Sequence, residues 1–162
     1  MITGCNLFTP EEQQLNNPET ELLELIDQWH QDAALANLEA YIGAMSDSAV
    51  FIGTDATERW TTSEFYTFCK PHFDAGKTWE FHPVQRFVYI SEDGNTAWFD
   101  ELLDTKLGLC RGSGVLQKYD GSWKIEQYVL SPTIPNDRIS GIVADKRIAD
   151  SVQIEILTER DK

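Results

Sequence analysis

TAWFDELLDTKLGLCRGSGVLQKYDGSWKIEQYVL, residues 96–130, is the stretch that decides the fold. Apolar and polar residues alternate along it with a period of two, which is typical of β-strands. Together with a similar run upstream, it predicts four strands at about residues 78–90, 96–106, 109–119 and 122–130. Turn sequences separate them at Glu92-Asp93-Gly94-Asn95 and at Asp120-Gly121. Strands joined by short turns are antiparallel, so this half of the chain is predicted to be a four-stranded meander.

The first half of the chain has helical spacing instead. Asn17 and Pro18 suit the N-cap and the first position of a helix. The apolar residues Leu22, Ile26, Trp29 and Ala33 follow at helical spacing. A shorter helical pattern carries Leu38, Ile42 and Met45, and a short apolar strand then covers residues 49–52. This order predicts two helices before the first strand.

A third helix is predicted to begin at Thr61. Thr61 and Glu64 have the spacing of a capping box, and Gly76 is the stop signal. Pro71 lies inside this helix and is expected to kink it. Its apolar side carries Phe65, Phe68, Cys69 and Phe73. The whole order of elements predicts an α+β domain in which helices pack on one face of a curved antiparallel sheet.

The tail after Asn136 allows two interpretations. Ile139, Ile142 and Val143 have the spacing of a helix. Val152, Ile154 and Ile156 alternate like a strand. The sequence does not decide between them, so residues 141–162 are treated as a C-terminal extension of uncertain structure, and residues 1–16 as a flexible N-terminal segment.

Length and charge exclude several classes of protein. The chain has 162 residues, about one domain, and no apolar run of membrane-spanning length. Its net charge is −14, and the first Lys or Arg is Arg59, so −11 of that charge lies in the first 58 residues. Such a field repels phosphate backbones and anionic lipids. We therefore expect no binding to nucleic acid and no direct binding to a membrane surface.

The cysteines and histidines predict neither a disulfide framework nor a metal site. Three cysteines make an odd count, and Cys69 and Cys110 lie among apolar neighbours, as small buried hydrophobic residues do. Cys69 and His72 have the spacing of metal ligands, but no second pair matches them. We expect no metal and no other cofactor.

Ile2-Thr3-Gly4-Cys5 resembles the lipobox of bacterial lipoproteins. No basic and apolar signal segment precedes it, so the sequence as written predicts a cytoplasmic protein. The alternative is a periplasmic or lipid-anchored protein whose true start lies upstream of this stretch.

The order of elements and three motifs resemble the nuclear transport factor 2-like superfamily, and in particular its SnoaL-like branch. The motifs are DSAVFIGTDATERW (47–60), GNTAWFDELL (94–103) and GSWKIEQYVLSPTIP (121–135). The resemblance implies a cone-shaped domain over residues 17–140, in which helices wrap a bent sheet around a pocket for small, often apolar or polyketide-like molecules. Some members are isomerases, cyclases or dehydratases, others only bind, and most are homodimers. The fold therefore does not fix the function.

The residues used by the ketosteroid isomerases of this superfamily are missing. Those enzymes have a Tyr oxyanion donor on the first helix and an Asp base at the end of the first strand, where this chain has Trp29 and Gly53. Trp29 retains an indole N–H that could donate, but Gly53 cannot act as a base. Asp55, two residues further on, is a substitute.

Strand alternation predicts which polar residues face the pocket. On the last strand, Gln127 is expected to face inward with Trp123, Ile125 and Val129. Glu101 is expected to face inward with Phe99 on its own strand. If Lys118 faces outward, Arg111 and Ser113 face inward, and Arg111 can pair with Glu101. Gly112 and Gly114 indicate a bulge or a close approach.

Two classes of function remain open. The first is a small-molecule-binding protein with Trp29, Trp60, Phe99, Arg111, Ser113 and Gln127 as ligand-binding residues. The second is a cofactor-free isomerase, cyclase or dehydratase in which Asp55, Glu101 or His72 transfers the proton. Trp60, Trp79, Phe65, Phe68 and Phe73 either line the pocket or fill it as core.

The partner expected for the sheet is a second copy of the chain. Trp98, Tyr128 and Leu130 are predicted to face outward, and they are too apolar for a solvated surface. We therefore expect a homodimer formed through the sheet.

Overall fold

The computed structural model describes residues 17–160. The N-terminal segment 1–16, with the lipobox-like stretch, lies outside the described residues. The helices are α1 (Pro18–Ala34), α2 (Leu38–Gly43), α3 (Thr62–Asp74) and α4 (Ile139–Arg160). The strands are β1 (Met45–Ile52), β2 (Arg59–Thr61), β3 (His82–Ile90), β4 (Thr96–Thr105), β5 (Gly108–Tyr119) and β6 (Ser122–Pro132).

The predicted helix starts are confirmed. Asn17 caps α1, its side-chain oxygen accepting from the backbone N–H of Glu19 at 3.1 Å, and Pro18 takes the first position. Thr61 and Glu64 form the capping box of α3, each side chain accepting from the other's backbone N–H. Each cap satisfies backbone donors that have no partner within the helix. The helix α3 continues through Pro71 to Asp74.

The six strands form one sheet in the order β2-β1-β6-β5-β4-β3. The meander from β3 to β6 is antiparallel, as predicted, and Asp120 and Gly121 close its last hairpin with φ of 48° and 87°. The expectation of a wholly antiparallel sheet is wrong for one pair, because β1 lies parallel to β6. A helix and four strands separate these two in the chain, so no tight turn dictates their relative direction.

The core lies between the helices and one face of the sheet. Its largest members are aromatic, and each is at least 95% buried: Trp29, Tyr41, Phe51, Phe65, Phe99 and Tyr128. Phe51 from β1 stacks on Phe65 from α3 with ring centroids 4.0 Å apart. Burying each such side chain stabilises the fold by about 1.5–3 kcal/mol. Aromatic side chains thus fill much of the space between the helices and the sheet.

A bulge in β6 reverses the predicted alternation of its second half. Val115 pairs with Gln127 while Leu116 pairs with Ile125, so Glu126 is an extra residue in β6. Beyond the bulge, Tyr128 and Leu130 face the core and Gln127 is exposed. The predicted inward orientation of Gln127 and Val129, and the outward orientation of Tyr128 and Leu130, are therefore wrong.

The C-terminal tail is helical, which settles the choice left open by its sequence. Its 22 residues form α4, and nearly all of them are exposed, including Ile148 at 81% and Ile154 at 64%. The apolar residues are spread around the helix axis rather than gathered on one side. Within residues 17–160, no helix is both long and apolar enough to span a lipid bilayer.

Candidate functional site

A cavity of about 270 Å³ opens at the end of the sheet where β1 ends and where β4 turns into β5. Segments from six parts of the chain meet there: the end of β1 and the loop after it, β2, α3, the segment before β3, the turn at Thr105–Leu107, and the end of β6 at Leu130. Most of the surface that they contribute is apolar. This size suits a molecule of one or two rings, slightly below the usual range for ligand pockets.

Aromatic side chains form one wall of the cavity. Trp60 of β2 stacks on Phe68 of α3 with centroids 4.5 Å apart and planes 22° apart. Phe65 and Trp79 flank Phe68 at 6.2 and 6.3 Å. Trp60, Phe65, Phe68 and Trp79 therefore line the cavity, while Phe73 is buried in the core. The predicted aromatic set therefore divides into four residues that line the pocket and one, Phe73, that belongs to the core.

Three charged residues also line the cavity: Glu58, Glu80 and Lys106. The carboxylate of Glu58 accepts from the backbone N–H of Asp55 at 3.0 Å, and Glu80 lies 3.7 Å from His82 Nε2. Lys106 occupies the exposed turn between β4 and β5. The apolar walls are therefore bordered by two negative groups and one positive group.

A buried ionic network centred on Glu101 of β4 lies in the core, apart from the residues that line the cavity. One carboxylate oxygen, Oε1, lies 2.8 Å from His30 Nε2 and accepts from the Tyr128 hydroxyl at 2.8 Å. The other, Oε2, accepts from Arg86 Nε at 2.9 Å and lies 2.7 Å from its Nη2. Arg86 Nη1 also donates to Asp27 at 2.6 Å. The network joins α1, β3, β4 and β6 across the inside of the cone.

The network keeps the Glu101 carboxylate ionised. Burial acts to raise the pKa of Glu101, but the hydrogen bond from His30 and the charge of Arg86 outweigh it and hold that pKa below its ordinary value. Burial, followed by the charge of Glu101, raises the pKa of Tyr128 well above its ordinary value. Tyr128 is therefore a hydrogen-bond donor and Glu101 an acceptor at neutral pH.

Gly112 makes the network possible. It lies directly opposite Glu101 in the sheet, and a Cβ at this position would lie 2.3 Å from the Tyr128 hydroxyl and 2.8 Å from Glu101 Oε1. At Gly114, a Cβ would meet the Phe99 ring at 2.5 Å. The close approach predicted from these glycines is confirmed.

The predicted pair of Glu101 with Arg111 is wrong. Glu101 does face inward, but Arg111 is 58% exposed on the outer face and lies 3.8 Å from Asp100. The prediction assumed that Lys118 faces outward. Lys118 lies instead over the ring of the buried Trp123, 5.2 Å from its centroid, so the even-numbered residues of β5 face inward.

Other predicted ligand-binding residues also lie outside the cavity. Ser113 is on the outer face with Gln127, where both border a shallow depression beside Trp98. Trp29 is 1% exposed, and its indole N–H donates to the Tyr41 carbonyl at 3.0 Å, so it is not free for a ligand. Phe99 is 2% exposed in the core. Of this set, the structure places only Trp60 in the cavity wall.

The three proposed proton-transfer residues do not come together. Asp55 is fully exposed, and the side-chain and backbone hydrogen bonds from Thr57 lower its pKa, which makes it a weak base. His72 is exposed on α3, with its ring 5.2 Å from Phe68. Glu101 is buried in the core. None of the three borders the cavity.

Sequence reasoning missed Arg86, His30, Tyr128 and Glu58. Arg86 has the same strand parity as Val88 and Ile90, which pack against the core. Its neighbours Phe87 and Tyr89 are equally apolar, so alternation alone could not tell which side of β3 faces inward. His30 lies beside the predicted apolar stripe of α1 rather than in it.

Possible metal ligands do not cluster. The described part of the chain contains no group of three or more His, Cys, Asp or Glu side chains that could hold an ion. Cys69 and Cys110 are buried free thiols, as predicted, and burial raises the pKa of Cys69 to about 12.

Comparison with solved structures places this fold among known ones. A protein of unknown function from Pseudomonas putida, described as NTF2-like, is 16% identical with a TM-score of 0.62, covering 73% of this chain and 88% of its own. A proposed dehydratase of the NTF2-like family from Streptomyces avermitilis is 11% identical with a TM-score of 0.63, covering 74% and 100%. A protein of unknown function from Mycobacterium tuberculosis is 14% identical with a TM-score of 0.63, covering 83% and 82%.

Sequence similarity points to the same group. At the identities above, the structural likeness establishes the fold alone. A search of curated proteins finds no relative with significant sequence similarity. The SnoaL-like domain family, in contrast, matches residues 22–135, which is most of the chain and spans everything from α1 to the end of β6. This protein therefore belongs to the SnoaL-like domain family.

Proposed function

We propose that this protein binds a small, mainly apolar molecule in the cavity at the open end of the cone. The observation that carries the proposal is the aromatic wall: Trp60, Phe68 and Trp79 leave ring surface uncovered beside a space of about 270 Å³. Exposed aromatic surface in a concave site gains free energy when a flat apolar ligand replaces water there. The scattered positions of Asp55, Glu101 and His72 favour binding over acid–base chemistry.

The test is titration with 2-phenylethanol, whose single ring fits the cavity, followed by calorimetry and ligand-observed NMR. We expect saturable binding at one site per chain. Trp60→Ala should weaken it about tenfold or more, since the variant removes the ring that stacks on Phe68. Tyr119→Ala is the matched control, because Tyr119 is 46% exposed at the end of β5 and does not line the cavity, so the variant should not affect binding. Unsaturable binding, or equal effects of the two variants, would show that the cavity is not the site.

We also propose that the chain forms a homodimer through the outer face of the sheet. Phe87, Tyr89 and Trp98 are each 46–47% exposed there, and Tyr89 stacks on Trp98 with centroids 5.8 Å apart. Tyr128 and Leu130, once expected on this surface, are buried, so the proposed interface centres on β3 and β4. A cluster of large exposed apolar residues is typical of an interaction surface.

Light scattering at micromolar concentration tests the dimer. The expected mass is twice 18.4 kDa. Trp98→Glu should reduce it to that of the monomer, because a charge in the middle of the interface would be desolvated without a partner. Leu35→Glu is the control, since Leu35 is 67% exposed at the end of α1. A monomeric wild-type chain would refute the proposal.

A further inference from the structure

The loop after β1 places the Glu58 carboxylate beside Gly53, in the space that a side chain at position 53 would occupy. A Cβ on Gly53 would lie 2.3 Å from Glu58 Oε2 and 3.0 Å from Glu58 Cβ. The Glu58 side chain therefore occupies the space that any side chain at position 53 would take, and both residues line the cavity. Position 53 directly follows β1, so Glu58 brings a carboxylate to the end of that strand from five residues further along the chain.

The loop holds this carboxylate in place. The Gly53 N–H donates to the Glu58 carbonyl at 2.8 Å, and the Glu58 N–H donates to the Asp55 carbonyl at 3.0 Å. Glu58 Oε2 accepts from the Asp55 N–H at 3.0 Å. These three bonds fix both the backbone and the side chain of Glu58. A group fixed in this way can bind a charged partner with little loss of side-chain entropy.

The surroundings of Glu58 favour a positive partner. Glu80 adds a second carboxylate to the cavity and Lys106 a single ammonium, so the lining carries a net negative charge. Trp60 and Phe68 line the same cavity, and the faces of aromatic rings attract organic cations. An anionic ligand would be repelled by the two carboxylates, and the apolar walls would screen that repulsion poorly.

We propose that the ligand of this cavity is an organic ammonium ion with an apolar or aromatic body. The ammonium lies between the Glu58 carboxylate and the Trp60–Phe68 wall, and the body fills the apolar part of the cavity. This inference rests on the proposed function, since it requires that the cavity bind a small molecule at all. The net charge of −14 would attract such a cation to the protein over a longer range at low salt.

The experiment compares three probes of matched shape, 2-phenylethylammonium, 2-phenylethanol and 3-phenylpropionate, by calorimetry at neutral pH and low salt. We expect the ammonium to bind at least about tenfold more tightly than the alcohol, and the carboxylate to bind most weakly. In Glu58→Gln the ammonium should lose this advantage while the alcohol binds as before. Lys106→Met should strengthen binding of the ammonium, because it removes a positive group from the lining.

Two further variants separate the role of Glu58 from general effects. Glu92→Gln removes the same charge from the turn between β3 and β4, at the opposite end of β4 from the cavity, and should keep the ammonium preference. Gly53→Ala should displace the Glu58 carboxylate and abolish the preference without changing any charge.

Each outcome decides between the two proposals. Equal binding of ammonium and alcohol would overturn the inference and leave the binding cavity intact. Tightest binding of the carboxylate would overturn it too, and would assign the dominant role to Lys106. Loss of alcohol binding in Glu58→Gln would mean that Glu58 only supports the loop, which also overturns it. If none of the probes binds the wild type, the proposed function fails together with the inference.

Discussion

Replacing Arg86 by Ala should be one of the most damaging single changes in the sheet. Arg86 is 6% exposed and Glu101 is 0% exposed, and two guanidinium nitrogens lie 2.9 and 2.7 Å from Glu101 Oε2. Without Arg86 the Glu101 carboxylate remains buried with only His30 and Tyr128 as partners. Breaking a buried ion pair in this way typically costs about 3–5 kcal/mol.

The expected loss lies at the lower end of this range. Two hydrogen bonds to Glu101 survive, and Asp27, the other partner of Arg86, is 63% exposed and is solvated again by water. We therefore expect the free energy of unfolding to fall by about 3 kcal/mol and Tm by roughly 6–12 °C for a chain of this size. The double variant Arg86→Met with Glu101→Leu should recover only part of the loss, because it removes both charges but leaves His30 and the Tyr128 hydroxyl without their shared acceptor.

Urea unfolding followed by tryptophan fluorescence measures the change. Arg111→Ala is the matched control: Arg111 is 58% exposed and lies 3.8 Å from Asp100, so its removal should cost less than about 1 kcal/mol. A loss from Arg86→Ala no larger than that of the control would refute the reasoning, since it would mean that the Glu101 carboxylate is well solvated without Arg86.

Three further predictions concern the network, the glycines and α4. The pKa of Glu101 is lowered from its ordinary value of 4.5, so the ionised carboxylate stabilises the fold above pH 4.5, and this stabilisation is lost as the pH falls through the lower pKa of the folded state. In Glu101→Gln, the free energy of unfolding should therefore depend less on pH on the acid side of its profile. Gly112→Ala should destabilise by about 1–3 kcal/mol in thermal unfolding, whereas Gly141→Ala, with open space around it, should have no such cost. A chain ending at Arg138 should lose helical circular dichroism but keep Tm within about 2 °C, because α4 is exposed along nearly its whole length; a large drop in Tm would show that α4 supports the domain.

Local signals in the sequence predicted most of the elements correctly. The capping box at Thr61, the cap at Asn17 and the turn at Asp120-Gly121 each depend on a few adjacent residues, and all three are confirmed. The family resemblance is confirmed as well. Features of this kind are encoded by local backbone chemistry, which a sequence displays directly.

Side-chain orientation was harder to predict because it depends on partners elsewhere in the sheet. The extra residue Glu126 reverses the face to which every later side chain of β6 points, and nothing in the sequence of that strand indicates the bulge. The side-chain orientation of β5 was predicted wrongly because Lys118 was expected to face solvent. A lysine at the end of a strand can lie on the core side when its ammonium is over an aromatic ring, as that of Lys118 is over Trp123. Both errors moved predicted site residues to the wrong face.

The candidate site was predicted only in part for the same reason. Trp60 could be assigned to the pocket from its position after the first strand. Glu58 could not, because its role depends on the space left by Gly53 and on three hydrogen bonds within the loop. No pattern of residue types reports such an arrangement.

The network around Glu101 also bears on how long the folded molecule survives before it unfolds. Its bonds join residues far apart in the chain: His30 is 71 positions from Glu101, and Asp27 is 59 from Arg86. Closing such long loops is entropically costly, so these bonds are expected to form late, after the meander has assembled and α1 has docked on it. Interactions absent from the folding transition state act mainly on the unfolding rate. The contacts of His30 with Glu101 and of Asp27 with Arg86 would then leave the folding rate unchanged and lengthen the lifetime of the native state.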